Sequence, residues 1–446
     1  MSTDRPLVLV VPFGYPDYPQ EMLRHYTDAS IRALTALGVA VDCTSLVISE
    51  KDVPSARKQA RESEADLVVL LILSWIEAQL VPAVLQELFG RPLLLWSHTT
   101  FAEADGGEAD LGCVPGAAVV REMLEEMNVP FKFIYGQPDE EAVVATVKPL
   151  ARAAHAAHSL NASRIGLFGY ASMGMYTGTF DHTKLRALIG PEVVHFDQYT
   201  LIRRAEAMAL AEAEAAVAGA SHDWELTGTL DSKALAPSWR VYAALRDLAV
   251  EARLDALTVK CQYEMSRDWG LAPCLALSIL GDTITSSCEG DVYLAVSQLL
   301  LHYLSDEGTI AYGDVHTGRG KNIILGACGF APLSQARGKP IIRQHTALYE
   351  GVYNASPYKD GTVTLARLAS DGNGYKLHAA VGQVVDPPRL HEVGCPPYSW
   401  LQARLEAPVD HFMQNLSSQH YAIAYGDWRS EMAEFCRLKS IRLILS

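Results

Sequence analysis

The N-terminal half of the chain alternates between short apolar runs and longer amphipathic segments. The apolar runs, such as LVLVVPFG at 7–14 and ADLVVLLIL at 65–73, contain few polar positions and predict strands buried on both faces. Between them lie segments with helical periodicity, such as YPQEMLRHYTDASIRALTALG at 18–38, which ends at a glycine. Continuous apolar strands separated by helices predict βαβ units and a parallel sheet covered on both faces.

The pattern changes after about residue 225, where strand-like pieces such as TIAYGDV and TVTLARLAS follow one another with turn signals between them. This pattern predicts a mixed α+β region with an antiparallel β part. We therefore expect three domains: an N-terminal α/β domain at 1–100, a second α/β domain at 101–222, and a C-terminal domain at 223–446. Both N-terminal domains are expected to contain a doubly wound parallel sheet.

Composition and charge narrow the function classes. The 446 residues are 49% hydrophobic and 20% charged, and the formal net charge is −15 without a basic cluster large enough to dominate it. Nucleic acids and anionic membranes both reward clustered positive charge, so we expect neither as a partner. The sequence starts without a signal-peptide pattern, and no apolar run reaches the roughly 18 residues that a membrane span needs. We expect a cytoplasmic protein with a small-molecule substrate.

Two familiar motif classes are missing from the sequence. The glycines of LFGYASMGMYTG do not match the GxGxxG fingerprint, and no acidic residue follows at the end of a next strand, which argues against a dinucleotide site. The eight cysteines show no CxxC spacing, so most are expected to be small buried hydrophobic residues. Cys288 and Cys328 are the doubtful cases because of their neighbours.

Three acidic side chains and one histidine stand out in the last third. Glu289 and Asp291 lie between two apolar runs, Asp314 ends a short apolar strand, and His420 is flanked by small and apolar residues. Because 292–304 reads as a helix that connects neighbouring parallel strands, we expect Glu289 and Asp314 at the same carboxyl edge of one sheet. Two carboxylates and an imidazole suit a divalent ion such as Mn²⁺. Taken singly, helix capping, ion pairing or a core histidine explain each residue as well.

These segments resemble the L-fucose isomerase and L-arabinose isomerase superfamily. The resemblance rests on TSSCEGDVYLAVSQLLLHYL, on TIAYGDV, and on HYAIAYGDW, whose family counterparts supply a Glu, an Asp and a His to a Mn²⁺ site. It implies two N-terminal α/β domains and a C-terminal metal-binding catalytic domain with an antiparallel β-barrel part. It also implies a homo-oligomer with active sites near subunit interfaces.

The activity implied by the resemblance is Mn²⁺-dependent aldose–ketose isomerisation, with Mg²⁺ or Co²⁺ as alternative ions. Such a cation acts as a Lewis acid while carboxylates beside it carry the proton. We assign Glu289 and Asp314 dual roles as metal ligands and acid/base groups, and His420 the role of a ligand only. Asp291 is a candidate for supporting a ligand or contacting a substrate hydroxyl, and capping of the following helix explains it equally well.

The chain departs from the family pattern in one segment. Many relatives carry a histidine before the Cys-Gly of ILGACGFAP, where this chain has Ala327. A local basic cluster follows Asp314 and contains His316, Arg319 and Lys321. Against an acidic background this cluster favours a substrate with a carboxylate, phosphate or sulfonate group, and a solvated basic loop is the alternative.

Aromatic and histidine side chains also follow the N-terminal strands. Tyr15 follows the first strand, Trp75 the third and His98 the fourth, so all three are expected at the carboxyl ends of parallel strands. There they could line a sugar pocket, and core packing is the alternative.

Two other functions compete with isomerisation. The first is metal-dependent C–C cleavage or hydrolysis, of the decarboxylase or transcarboxylase type, acting on a keto-sugar acid; Ala327 and the basic cluster motivate it. The second is a non-catalytic sugar-binding protein, because paired α/β domains are also built that way. Ligand-type residues in the third region argue against simple binding.

Overall fold

The computed structural model describes residues 5–102, 107–305, 308–345, 350–388, 390 and 398–446. The chain divides into two compact units, one ending at His158 and the other beginning at Ser159. Each unit is described by itself. Among the helices of the described residues, none combines the length and the apolar character needed to cross a bilayer.

The first unit is built on a five-stranded parallel sheet in the order β2-β1-β3-β4-β7, with a small antiparallel β5–β6 pair beside it. All six residues of β3 are buried, as expected for a central strand covered on both faces. Its strands are β1 (Leu7–Phe13), β2 (Ala40–Cys43), β3 (Leu67–Ile72), β4 (Leu93–Ser97), β5 (Phe101–Ala102), β6 (Glu108–Ala109) and β7 (Lys132–Tyr135). Its helices are α1 (Gln20–Ala36), α2 (Val53–Glu62), α3 (Leu80–Leu85), α4 (Cys113–Glu126) and α5 (Glu141–Ala162), which runs into the second unit.

The second unit contains a four-stranded parallel sheet in the order β12-β11-β8-β9. The strands of this part are β8 (Arg164–Phe168), β9 (Glu192–Phe196), β10 (Glu225–Leu226), β11 (Ala256–Val259) and β12 (Thr285–Cys288). The helices are α6 (His182–Leu188), α7 (Gln198–Ala207), α8 (Leu210–Ala220), α9 (Ser232–Ala252), α10 (Cys274–Leu280) and α11 (Val292–Leu304).

The same unit continues into a seven-stranded sheet in the order β17-β20-β13-β14-β19-β18-β21, in which β17 also pairs with β18. A separate three-stranded sheet joins β10, β15 and β16. The strands are β13 (Ala311–Arg319), β14 (Asn322–Ala327), β15 (Ile341–Gln344), β16 (Val352–Asn354), β17 (Thr362–Asp371), β18 (Gly374–Val385), β19 (Tyr398–Leu405), β20 (His420–Tyr425) and β21 (Arg442–Leu445). The helices are α12 (Val409–Gln414) and α13 (Arg429–Lys439).

The fold is therefore mixed α/β, with parallel sheets and a large, mainly antiparallel sheet. The strands cross both predicted domain boundaries, because β7 pairs in the first sheet while β8 and β9 share a sheet with β11 and β12. The predicted three-domain layout and the β-barrel part stay predictions.

One expectation about the site region is wrong. β12 and β13 were expected to be neighbouring parallel strands, but β12 pairs in the parallel sheet and β13 pairs antiparallel with β14 and β20. The reason lies in α11, which is apolar and buried on almost all sides. The helix packs against β11 and β12 and also against β17 and β20, so it connects two sheets instead of returning to one.

Candidate functional site

The loop from β12 to α11 presents Glu289. Glu289 and Gly290 both have a φ of +68°, in the left-handed region. A Cβ at position 290 would lie 2.1 Å from the carbonyl oxygen of Tyr170, so only glycine fits there. Glu289 is the unusual residue, because a non-glycine residue adopts this backbone conformation at a cost and such costs cluster at functional sites. Its carbonyl oxygen accepts a 2.9 Å hydrogen bond from the Ser172 N–H, which fixes the turn.

Asp314 and His420 lie opposite each other on the antiparallel strands β13 and β20. Nε2 of His420 lies 3.2 Å from Oδ1 of Asp314 and 3.1 Å from Oε2 of Glu289. The His420 side chain is fully buried, that of Glu289 is 8% exposed and that of Asp314 is 25% exposed. Three residues separated by up to 131 positions thus meet at one imidazole nitrogen, and Asp314 is the member most open to solvent.

Asp291 supports this group from behind. Its carboxylate accepts a hydrogen bond from the Leu294 N–H at 3.0 Å, which caps α11, and Oδ2 lies 2.8 Å from Nδ1 of His420. Arg367 donates to both of its oxygens, at 2.7 and 3.1 Å. The Asp291 and Arg367 side chains are each 1% exposed. Helix capping and support of a ligand are therefore both present, whereas no open face of Asp291 is left for a substrate hydroxyl.

The surroundings change the protonation of each group. Burial raises the pKa of Glu289, although the hydrogen bond with His420 opposes this effect. Burial acts in the same sense on Asp291, but the Arg367 charge and the His420 hydrogen bond outweigh it and hold the pKa of Asp291 well below its usual range. Burial would lower the pKa of His420, yet the Asp314 charge and the three carboxylate contacts raise it well above its ordinary value.

The donor set fits a divalent cation. When a cation takes the place of the His420 proton, three carboxylates face a single arginine, which leaves two negative charges for a divalent ion to balance. The 3.1 and 3.2 Å separations at Nε2 are close to the roughly 3 Å between adjacent ligand atoms of an octahedral ion with bonds of about 2.1 Å. Among the described residues, however, Glu289, Asp314 and His420 do not form a group whose ligand atoms all lie within 4.8 Å of one another, so the two carboxylates must move closer together to share an ion. A carboxylate on the far nitrogen of a ligating histidine is also the usual way in which the imidazole is oriented.

Four cysteine side chains lie on the inner side of Glu289. The Cys274 thiol lies 3.9 Å from the Cys328 carbonyl oxygen, and the neighbouring cysteines together with burial raise the pKa of the Cys288 thiol well above its ordinary value. The Tyr312 hydroxyl meets the Cys288 thiol, and the Tyr312 ring lies edge-on to His420 with centroids 5.6 Å apart. Within the described residues, Cys261, Cys288 and Glu289 are the group whose ligand atoms all lie within 4.8 Å of one another.

The predicted basic cluster is not brought together at the site. Asp314 and Arg319 are the middle and the end of β13, five residues or roughly 17 Å apart along the strand. Lys321 lies in the following turn, and its Nζ donates to the Glu406 carbonyl oxygen at 2.6 Å. His316 is placed differently: it is the extra, exposed residue of a β-bulge between Val315 and Thr317. Of the three residues, only His316 stays near Asp314.

The candidates of the N-terminal strands belong to the first unit. His98 is fully buried, with Nε2 2.9 Å from the Ser30 hydroxyl, and burial lowers its pKa to about 4. Its environment is that of a core histidine. Trp75 is 38% exposed and Tyr15 half-buried, so both present surface to solvent. Their part in a sugar pocket stays a prediction.

Sequence reasoning missed Arg367, Tyr312, Cys261 and Cys274. The one available signal is Arg367 itself, a single cation within the apolar run TVTLARLAS, which needs a buried partner if that run is a central strand. The thiol contacts had no such signal, because the four cysteines lie 13, 14 and 40 positions apart and come together only through the sheets.

Comparison with known proteins adds relatives over nearly the whole chain. No protein-family model matches it. The chain is 27% identical over 398 residues to the sulfoquinovose isomerase of Alkalicoccus urumqiensis, covering 86% of each protein. It is 22% identical over 452 residues to that of Priestia megaterium and 23% identical over 457 residues to that of Clostridium sp., covering 97% of this chain and 98% of each relative.

Among solved structures, a similarity is found to a periplasmic solute binding protein of an ABC transporter from Actinobacillus succinogenes with bound D-allose. It covers 68% of this chain and 93% of that protein, at 9% identity and a TM-score of 0.19. A TM-score this low carries no argument about the fold or the ligand.

Proposed function

We propose that the chain is a metal-dependent aldose–ketose isomerase acting on a sugar with an anionic group. The observation that carries the proposal is the meeting of Glu289 and Asp314 at Nε2 of His420, in a protein whose relatives are sulfoquinovose isomerases. Sulfoquinovose carries a sulfonate, so the relatives favour an anionic substrate, whereas Arg319 and Lys321 add no support because they lie away from the site.

Glu289, Asp314 and His420 are the residues that would hold the ion. Bound there, a divalent cation such as Mn²⁺, Mg²⁺ or Co²⁺ supplies Lewis-acid polarisation of the substrate carbonyl and neighbouring hydroxyl oxygens. Asp291 and Arg367 keep the His420 ring in one orientation, so that Nε2 faces Glu289 and Asp314. Burial keeps bulk water away from the Glu289 and Asp291 carboxylates, whereas Asp314 stays partly open to solvent.

The two carboxylates carry the proton. One removes the proton from C2 of the open-chain aldose, giving an enediol, and a proton is then delivered to C1 while the O2 hydroxyl proton passes to O1. The sugar gains and loses no atoms. Glu289 is held in a turn with a left-handed backbone conformation, whereas Asp314 is partly exposed, so Asp314 is the carboxylate that solvent reaches more easily.

The proposal is tested by measuring the isomerisation of sulfoquinovose and of glucose in D₂O. The purified protein is assayed with and without Mn²⁺. We expect ketose formation from the sulfonated sugar, deuterium at C2 of recovered aldose, and loss of activity after chelation. Glu289→Gln and Asp314→Asn are each expected to lower kcat by about 10²- to 10⁴-fold. Asp231→Asn is the control, because Asp231 is a helix cap on α9 outside the site.

The possible outcomes separate the parts of the proposal. Wild-type turnover in Glu289→Gln, or in the metal-free protein, would contradict the assigned site. A product that has lost carbon would favour the cleaving enzyme instead. Equal turnover of glucose would remove the anionic part of the proposal and leave the isomerase.

A further inference from the structure

The contacts of the four cysteines around Glu289 are not those of ordinary core packing. We call Cys261, Cys274, Cys288 and Cys328 the thiol cluster. Half of the eight cysteines of the chain belong to this cluster, and the Cys274 thiol lies 3.9 Å from the Cys328 carbonyl oxygen. Cys288 also meets the Tyr312 hydroxyl, and Glu289 directly follows it in the chain. Thiols used as small hydrophobic residues pack against apolar groups, whereas those of Cys261 and Cys288 lie near each other and near a carboxylate, and Cys288 also meets a hydroxyl.

The spacing of the ligand atoms is close to that of a metal site. The thiols of Cys261 and Cys288 and a carboxylate oxygen of Glu289 all lie within 4.8 Å of one another. A tetrahedral zinc ion with sulfur ligands at about 2.3 Å needs ligand atoms about 3.5 to 3.8 Å apart. Side-chain movements of about 1 Å close the difference. Cys261, Cys288 and Glu289 thus provide three of the four ligands of a tetrahedral set.

The chemistry of this set differs from that of the neighbouring one. Thiolates select soft and borderline ions such as Zn²⁺, Cd²⁺ and Cu⁺, whereas two carboxylates and an imidazole suit Mn²⁺ and Mg²⁺. We propose that Cys261, Cys288 and Glu289 form a second cation site, for a thiophilic ion, which shares Glu289 with the Asp314–His420 site.

Sharing one carboxylate makes the two sites antagonistic. The Glu289 carboxylate lies 3.1 Å from Nε2 of His420 and has an oxygen within 4.8 Å of the Cys261 and Cys288 thiols, so ions at the two sites compete for it. A thiophilic ion bound at the cluster withdraws Glu289 from Asp314 and His420. Zn²⁺ or Cd²⁺ is then an inhibitor of the activity. This inhibition rests on the proposed function, whereas the binding of the ion does not depend on it.

Titration of the reduced full-length protein with Cd²⁺ tests the site. Binding is measured by the ultraviolet thiolate-to-metal charge-transfer band. We expect one equivalent to bind with the band, and the cluster thiols to become protected from alkylation. Cys261→Ser and Cys261→Ala should each weaken binding at least 10-fold and reduce the band. Cys436→Ser is the matched control, because Cys436 is a buried cysteine on α13 and should leave the band unchanged.

Two further variants separate the new site from the Asp314–His420 site. Asp314→Asn should keep the full band, and Glu289→Gln should keep the band while weakening Cd²⁺ binding. The absence of a band in the wild-type protein, or a band unchanged in both Cys261 variants, overturns the second site. Loss of the band in Asp314→Asn overturns its independence from the first. These readouts need no enzymatic activity, so a failure of the proposed isomerase leaves them interpretable.

Discussion

Asp291 Oδ2 lies 2.8 Å from Nδ1 of His420, on the side of the ring opposite Glu289 and Asp314. Nδ1 is thereby committed to a hydrogen bond, and Nε2 is the nitrogen left for a cation. The same carboxylate caps α11 and accepts two hydrogen bonds from Arg367. The structure thus ties the orientation of the histidine to the start of a helix and to a buried arginine.

Asp291→Asn tests whether this relationship tunes cation binding. An asparagine caps a helix as well as an aspartate does, so the helix should remain. The uncharged amide supports His420 less well, and we expect a 10- to 100-fold loss in Mn²⁺ affinity, measured by calorimetry. The exposed cap variant Asp231→Asn on α9 should bind Mn²⁺ like the wild-type protein. Equal affinity in both variants would show that Asp291 serves the helix and the pair with Arg367, and does not tune cation binding.

Arg367→Leu should destabilise the second unit. The substitution leaves the Asp291 carboxylate without its main partner in a fully buried place, which costs about 3 to 5 kcal/mol. Arg367→Lys should recover only part of this loss, because an ammonium cannot form the two parallel hydrogen bonds of the guanidinium. Urea unfolding followed by circular dichroism measures both changes.

The double variant Arg367→Leu/Asp291→Asn provides the check on that prediction. Removal of both charges should restore part of the stability that Arg367→Leu loses, since the unpaired buried carboxylate is the source of the cost. If the double variant is no more stable than Arg367→Leu, the unpaired carboxylate is not the source of the cost, and the packing of the arginine accounts for the loss.

Gly290→Ala should disturb the turn that presents Glu289. Its Cβ would lie 2.1 Å from the Tyr170 carbonyl oxygen, in addition to the cost of a left-handed conformation. Gly320 has a φ of +64° with open space around its Cβ position, so Gly320→Ala isolates the conformational cost, about 1 to 2 kcal/mol. We expect a larger loss of stability and weaker Mn²⁺ binding in Gly290→Ala than in Gly320→Ala. If both variants lose a similar amount of stability, the left-handed backbone conformation accounts for the whole cost and the contact with Tyr170 adds nothing.

The sequence reached the meeting of Glu289, Asp314 and His420 through motif resemblance, although the local reasoning that placed Glu289 and Asp314 on one sheet edge was wrong. Apolar periodicity identified the buried strands and α11, but it could not tell whether α11 returns to the same sheet, because a helix buried on all sides packs equally well between two sheets. Arg319 and Lys321 show the same limit. An extended strand advances roughly 3.3 Å per residue, so residues a few positions away in sequence can already lie outside a site.

Asp66 and Asp255 offer a paired test of the electrostatics in the two units. Both directly precede a buried parallel strand, and each accepts a backbone hydrogen bond at 2.8 Å, from Leu7 and from Arg164. Burial raises the pKa of Asp255 despite that hydrogen bond. For Asp66 burial acts in the same direction, but hydrogen bonds from His155, the Leu7 N–H and His158 outweigh it and lower the pKa.

The two aspartates should therefore change stability with pH in opposite directions. With a folded pKa below the unfolded one, Asp66 stabilises the folded state above the unfolded value near 3.9 and loses this contribution as pH falls through the folded pKa. Asp255 has the raised folded pKa, so acidification through that pKa favours the folded state. When the folded and unfolded pKa values of a group differ by one, its protonation changes the free energy of unfolding by about 1.4 kcal/mol.

Hydrogen exchange between pH 3 and 7 distinguishes the two contributions, because it reports on β1 and β8 separately. After correction for the intrinsic exchange rate, Asp66→Asn should remove part of the acid-induced loss of protection at β1. Asp255→Asn should raise the protection of β8 near neutral pH, where the buried carboxylate is unfavourable, and have less effect at pH 3. If both substitutions lower protection at neutral pH by the same amount, the backbone hydrogen bond outweighs the charge at both positions. The histidine contacts of Asp66 would then add nothing to its carboxylate.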